Sequence, residues 1–145
     1  AYVVGEVWEA GGALIKAYGG GQEKMDHIFN FELAKRYVNS ARGEDKTSVL
    51  QALHIALAEA PHGAYATFLT NHDQDRVMSV VGGSVERAKV AASLLLTGPG
   101  TPYLYYGEEI GMTGRKPDEH IRTPMPWKAE AGAGPSGPSC CSSTT

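Results

Sequence analysis

The sequence predicts an α/β fold with parallel strands, and three observations lead there. Short apolar and aromatic runs alternate with segments of helical period. Clusters of glycine and proline mark the joints between them. Two of the apolar runs end abruptly in polar residues that are costly to desolvate unless each finds a partner. In parallel barrels the carboxyl ends of the strands build the site.

Taken in order, Ala1-Tyr2-Val3-Val4-Gly5 reads as a buried strand, with Glu6 at its end and Val7-Trp8 following. A helical patch over Ala13–Ala17 stops at the three glycines 19–21. His27–Phe31 is expected to form the second strand. Asp26 and His27 look like an acid–base pair, but they stand at the start of that strand rather than at its end and are read as structural or as part of a surface loop. A short helix is expected over Glu32–Val38, broken by Asn39-Ser40 and by Gly43-Glu44-Asp45. Thr47 is the expected N-cap of a longer helix whose apolar face is Val49, Leu50, Leu53, Ile55, Ala56 and Leu57, ended by Pro61. His54 on that helix reads as a packed or surface residue.

The third strand, Ala64–Leu69, leads into Thr70-Asn71-His72-Asp73-Gln74-Asp75-Arg76. Val77–Gly83 is read as a loop. Ser84 then caps a helix with Glu86 in its first turn and a packing face of Ala88, Ala91, Ala92, Leu94 and Leu95. Gly98-Pro99-Gly100-Thr101-Pro102 is expected to turn the chain into a last strand, Tyr103–Tyr106.

At 145 residues the chain has room for one domain, and its 42% hydrophobic and 20% charged content is that of a globular protein. A net charge of −3 offers no basic stripe for nucleic acid and no polybasic membrane anchor. No apolar run is long enough to cross a bilayer. Cys140 and Cys141 are adjacent and say little about a redox compartment. Secreted and cytoplasmic locations both stay open.

Asn71-His72-Asp73 alone is compatible with an ordinary turn whose Asn and Asp bond their own backbone, with Asp75 and Arg76 as a solvated ion pair. A second strand end carrying Glu6 changes the reading. Two strand-end carboxylates, beside an imidazole and an aromatic ring, suit acid-catalysed cleavage of a glycosidic bond.

Val3-Val4-Gly5-Glu6-Val7-Trp8 and Phe68-Leu69-Thr70-Asn71-His72-Asp73 resemble two signature segments of the α-amylase family of glycoside hydrolases. His27–Phe31 and the run from Leu94 to Met112 also resemble that family, in the right order. The resemblance covers about Ala1 to Trp127. It implies that the chain is the C-terminal half of a (β/α)8 TIM barrel, about four strand–helix units and incomplete as a barrel, since a whole one takes ~250 residues. Residues 1–127 would be this partial catalytic domain. Residues 128–145, rich in Gly, Pro and Ser, are expected to be a disordered or non-native tail.

The resemblance implies retaining hydrolysis of α-1,4-glucosidic bonds in starch or maltooligosaccharides. Glu6 would be the general acid/base, Asp73 the carboxylate that favours the oxocarbenium-like transition state, and His72 a ligand of the sugar. The nucleophilic aspartate would lie on a preceding strand, so the chain alone is expected to be inactive. Glu108 and Glu109 are read as fixing a loop, and Asp75 as pairing with Arg76. Trp8 and Tyr106 are candidates for stacking on sugar rings. No cofactor or metal is expected in this chain, although calcium would be bound by segments upstream of it in many relatives. Self-association of the chain is a further expectation. The alternatives are an α-glucosidase or glucosyl-transferring member, or a non-catalytic carbohydrate-binding barrel.

Overall fold

The computed structural model describes residues 1–8, 12–20, 23–43, 45–59 and 65–127. The tail expected at 128–145, like Pro61 and Gly21, lies outside them. Four short strands, β1 (Val4–Gly5), β2 (His27–Phe29), β3 (Tyr65–Thr67) and β4 (Thr101–Pro102), form one parallel sheet in chain order. Register runs Val4 to His27, Ile28 to Tyr65 and Ala66 to Thr101. Helix α1 (Gly12–Tyr18) joins β1 to β2. α2 (Phe31–Gly43) and α3 (Lys46–Glu59) join β2 to β3, and α4 (Val77–Val80) and α5 (Val85–Thr97) join β3 to β4. A last short helix, α6 (Asp118–Ile121), follows β4.

Successive strand residues point to opposite faces, and the two faces differ. Ile28, Tyr65 and Leu69 pack with Leu33, Tyr37, Ala91 and Leu95 of α2 and α5 in the main core. On the second face Phe29, Phe31, Phe68 and Tyr103 make an edge-to-face aromatic cluster with ring centroids 5.0–5.3 Å apart. Each large apolar side chain so buried contributes ~1.5–3 kcal/mol.

Several boundaries differ from the sequence expectation, each for a packing reason. β2 stops at Phe29 because Asn30 becomes the cap of α2: its Oδ1 accepts the Leu33 N–H at 2.9 Å. Asn39 and Ser40 do not break α2, since Tyr37, Val38, Ser40 and Ala41 are all buried on it. Asp45, not Thr47, caps α3, its Oδ1 accepting the Thr47 N–H at 2.9 Å. On α3, Val49, Ala52 and Ala56 follow the i, i+3, i+7 stripe into the core. Leu50 and Leu57 lie one position off that stripe and are 60% and 64% exposed. Ile55 falls outside the described side chains, and His54 is exposed. Residues 77–80 are helical rather than loop because Val77 and Val81, four apart, are both buried. Ser84 caps α5 as expected, accepting the Arg87 N–H at 3.2 Å.

The largest difference is at β4. Its ladder occupies Thr101–Pro102 and ends with the Tyr103 N–H donating to Thr67 O at 2.7 Å. Proline is tolerated there because β4 pairs with β3 alone. Gly100, at φ 99°, makes the approach possible: a Cβ there would stand 2.7 Å from the Tyr65 ring. Tyr103–Tyr106, expected as the strand, instead leave it.

Asp26 and His27 are structural. Asp26 Oδ2 accepts the Val3 N–H at 2.6 Å. His27 opens β2 and its two ring nitrogens lie 2.7 Å from the Tyr2 hydroxyl and 2.9 Å from the Thr101 hydroxyl. One imidazole thus ties together the strand entrances of β1, β2 and β4.

Among the described residues, the outer edges of β1 and β4 carry no neighbouring strand. Tyr2, Val3 and Leu104, next to those edges, are each about half exposed. Unpaired edges invite pairing with another chain. The 145-residue chain produced by itself is therefore expected to self-associate, giving a mass above the monomer in light scattering. A monodisperse monomer with strong amide protection in both edge strands would contradict this.

Candidate active site

The site lies where β1 and β3 end. Glu6 follows β1 directly and is exposed. Asn71, His72 and Asp73 stand four to six residues beyond the end of β3. Asn71 connects the two ends. Its Nδ2 donates to Glu6 Oε1 over a long 3.4 Å, and its Oδ1 accepts the Asp73 N–H at 3.0 Å. The turn read from the sequence has Asn71 bonding its own backbone, as it does at Asp73, and the contact with Glu6 ties that turn to the end of β1.

Arg122 was not foreseen as a site residue. Its Nη2 donates to Asp73 Oδ1 at 2.6 Å and its Nε donates to the carbonyl of His72 at 2.8 Å. Asp118 Oδ2, 2.8 Å from the same Nη2, holds the guanidinium from its other side. Asp118 itself is held below the usual carboxylate range by its hydrogen bond from Lys116 and then by Arg122. The second Asp73 oxygen lies 3.4 Å from His72 Nε2. Planar Arg forks suit such two-point capture, but the groups are partly exposed, so the Arg122–Asp73 pair contributes only ~0.2–1 kcal/mol to stability. Its value is orientation.

Asp75 and Arg76 do not pair. Asp75 accepts from Arg115 Nη1 at 3.1 Å and from the Lys116 N–H at 2.8 Å. Arg76 is fully buried, its guanidinium 4.6 Å from the ring centres of both Tyr105 and Tyr106, with Nη1 donating to Tyr106 O at 2.7 Å. A desolvated cation against aromatic rings is stabilised by ~2 kcal/mol. This box explains why Tyr105 and Tyr106 leave the strand.

Tyr106 thus gives one ring face to Arg76, and its hydroxyl donates to Thr123 O at 2.7 Å. Trp8 packs its ring 4.7 Å from Phe31 and stays 54% exposed. It borders a cavity of about 590 Å³ together with Lys35, Thr70, Gln74 and Asp75. Glu108 accepts the Thr70 hydroxyl at 2.7 Å, which ties the strand end to the turn after β4, while Glu109 is exposed. Glu108 therefore fixes a loop, as read from the sequence.

Calcium needs six to eight oxygen ligands. Among the described residues no group of three or more His, Cys, Asp or Glu is placed to hold a metal ion. No helix among the described residues is long and apolar enough to cross a membrane.

Residues 1–139 match the family model described as "Alpha amylase, catalytic domain". The chain is 40% identical over 130 residues to Alpha-amylase 3 of Dictyoglomus thermophilum, covering 87% of this chain and 25% of that protein. It is 33% identical over 105 residues to a 4-alpha-glucanotransferase of Thermotoga neapolitana, covering 70% of this chain and 24% of that one. The crystal structure of the α-amylase from H. orenii superposes with a TM-score of 0.80 at 39% identity, over 92% of this chain and 28% of that one. The chain thus spans about a quarter of the length of the relatives it matches. The open parallel sheet is accordingly a sector of a (β/α)8 barrel, and the chain belongs to the α-amylase family of glycoside hydrolases as part of its catalytic domain.

Proposed function

We propose that this segment supplies the acid/base side of a retaining site that hydrolyses α-1,4-glucosidic bonds in starch or maltooligosaccharides. The observation that carries the proposal is the Asn71 amide, which reaches both Glu6 and the Asp73 backbone. Glu6 would protonate the leaving glycosidic oxygen and then draw a proton from the attacking water. Asp73, oriented by Arg122, would bind sugar hydroxyls and stabilise positive charge growing at the anomeric carbon. His72 would bond a hydroxyl of the same sugar. Trp8, partly exposed beside the cavity, would stack on a ring in a neighbouring position. Tyr106 would offer at most its second face.

A retaining reaction also needs a nucleophile ~5–5.5 Å from the acid. Among the described residues near Asp73, Asp75 is engaged by Arg115 and Lys116, Glu108 by Thr70, and Asp118 by Lys116 and Arg122. The nucleophile is accordingly proposed to come from outside this chain. A second reading has support in the glucanotransferase relative: the same glycosyl-enzyme would pass its sugar to another glucan instead of water.

One experiment addresses both. The complete catalytic domain carrying this segment is incubated with maltoheptaose and followed by NMR, beside the 145-residue chain alone. Shorter oligosaccharides released first as α-anomers support hydrolysis with retention, and longer ones support transfer. β-Anomers, or an uncleaved substrate, would overturn the proposal. The chain alone is expected to show no turnover, and inhibitor-sensitive hydrolysis by it would refute the assignment of the nucleophile.

A further inference from the structure

We infer that Glu108 is a positioning residue for this site, latching the chain that carries Asn71, His72 and Asp73 to the turn that follows β4. The inference rests on the reading proposed above. Thr70 immediately precedes Asn71, and its hydroxyl donates to Glu108 Oε1 at 2.7 Å. The turn that presents Glu108 is braced by backbone bonds from Glu108 N to Tyr105 O at 3.1 Å and from Met112 N to Gly107 O at 2.8 Å. Gly107 sits at φ 85°, and a Cβ there would collide with Met112 Sδ at 2.2 Å, so the turn accepts little variation. Arg76, at the far end of the same loop, is boxed by Tyr105 and Tyr106 of this turn. The candidate site loop is therefore strapped to one support at both ends.

The two straps differ in chemistry. One strap is a guanidinium, whereas Glu108 is an acid whose Oε2 is sealed from water without a hydrogen-bond partner. Burial pushes this carboxyl up to about 7, against the opposing pull of the Thr70 hydroxyl, the backbone at Tyr105 and Thr70, and the Arg76 guanidinium. These are the groups that face it. The sign follows from linkage: the closed latch holds a proton that an opened, solvated Glu108 would release near its ordinary value of 4.5. Closure is thus favoured in full below about 4.5, weakens as pH rises toward about 7, and changes no further above it.

Amide hydrogen exchange on the complete catalytic domain, corrected for intrinsic rates, tests this between pH 4.5 and 8. Wild-type protection at Asn71–Asp73 is expected to fall by up to ~100-fold over the lower part of that range and then level off. Glu108→Gln, which can still accept from Thr70 but cannot ionise, should flatten the profile. Glu108→Ala and Thr70→Val should lower protection at every pH and cut kcat by ~10–100-fold with KM little changed, since a slightly misplaced Asp73 fails chiefly in the transition state. A wild-type profile as flat as that of Glu108→Gln would overturn the latch, as would unaltered kcat in both Thr70→Val and Glu108→Ala. Exchange needs no substrate, so a wild type with this pattern but no glucan turnover would support the latch while refuting the glycosidase reading.

Discussion

Asp73→Asn in the complete catalytic domain is expected to lower kcat by ~10²–10³-fold while leaving KM within a few-fold. The substitution keeps size and hydrogen-bonding capacity, so Arg122 can still hold the side chain in place, while the backbone N–H stays on Asn71. What is lost is a full negative charge that, in the proposed function, would stand beside the anomeric carbon, where positive charge appears only as the bond breaks. An interaction stronger in the transition state than in the ground state shows in kcat. Comparable rises in KM and falls in kcat/KM, at constant kcat, would assign Asp73 to sugar binding alone.

The strand ends that carry Glu6 and Asp73 were legible because the signal is local. A buried run that ends in polar groups marks a strand end within a few residues, and the helix cap at Ser84 is equally local. Arg122 escaped because it bonds Asp73 across 49 positions of sequence, and a lone arginine carries no mark of the partner it will meet. Asp75 and Arg76 failed for the complementary reason. Neighbours in sequence looked like a pair, but one side chain faces Arg115 at the surface while its neighbour enters the aromatic box.

The last strand shows how propensity misleads. Tyr103-Leu104-Tyr105-Tyr106 has strong β character, yet two of its rings are needed around Arg76, and the ladder closes before them at Thr101–Pro102. Leu50 and Leu57 misled in the same way: they extend an apolar count without lying on the stripe that faces the core. Both errors concern tertiary demand overriding local preference, and neither moved the site.

The second large effect concerns Glu6. Its side chain stands at the mouth of β1, with Asn71 as its hydrogen-bond partner, and is exposed. Glu6→Gln preserves the shape and removes the transferable proton, so kcat on maltooligosaccharides should fall by ~10²–10⁴-fold, the usual size of general acid catalysis. Binding should persist, because an amide still offers a donor and an acceptor to sugar hydroxyls. The fall must also depend on the leaving group: a sugar alkoxide needs protonation, whereas fluoride departs without it.

Glycosyl-enzyme formation by Glu6→Gln and wild-type catalytic domain, measured side by side on maltotetraose and on α-maltosyl fluoride, is the most direct test of Glu6 as the proton donor of this site. The expected result is a loss of ~10²–10⁴-fold on maltotetraose and a much smaller one on the fluoride. Equal losses on both substrates, or unimpaired cleavage of maltotetraose, would contradict it.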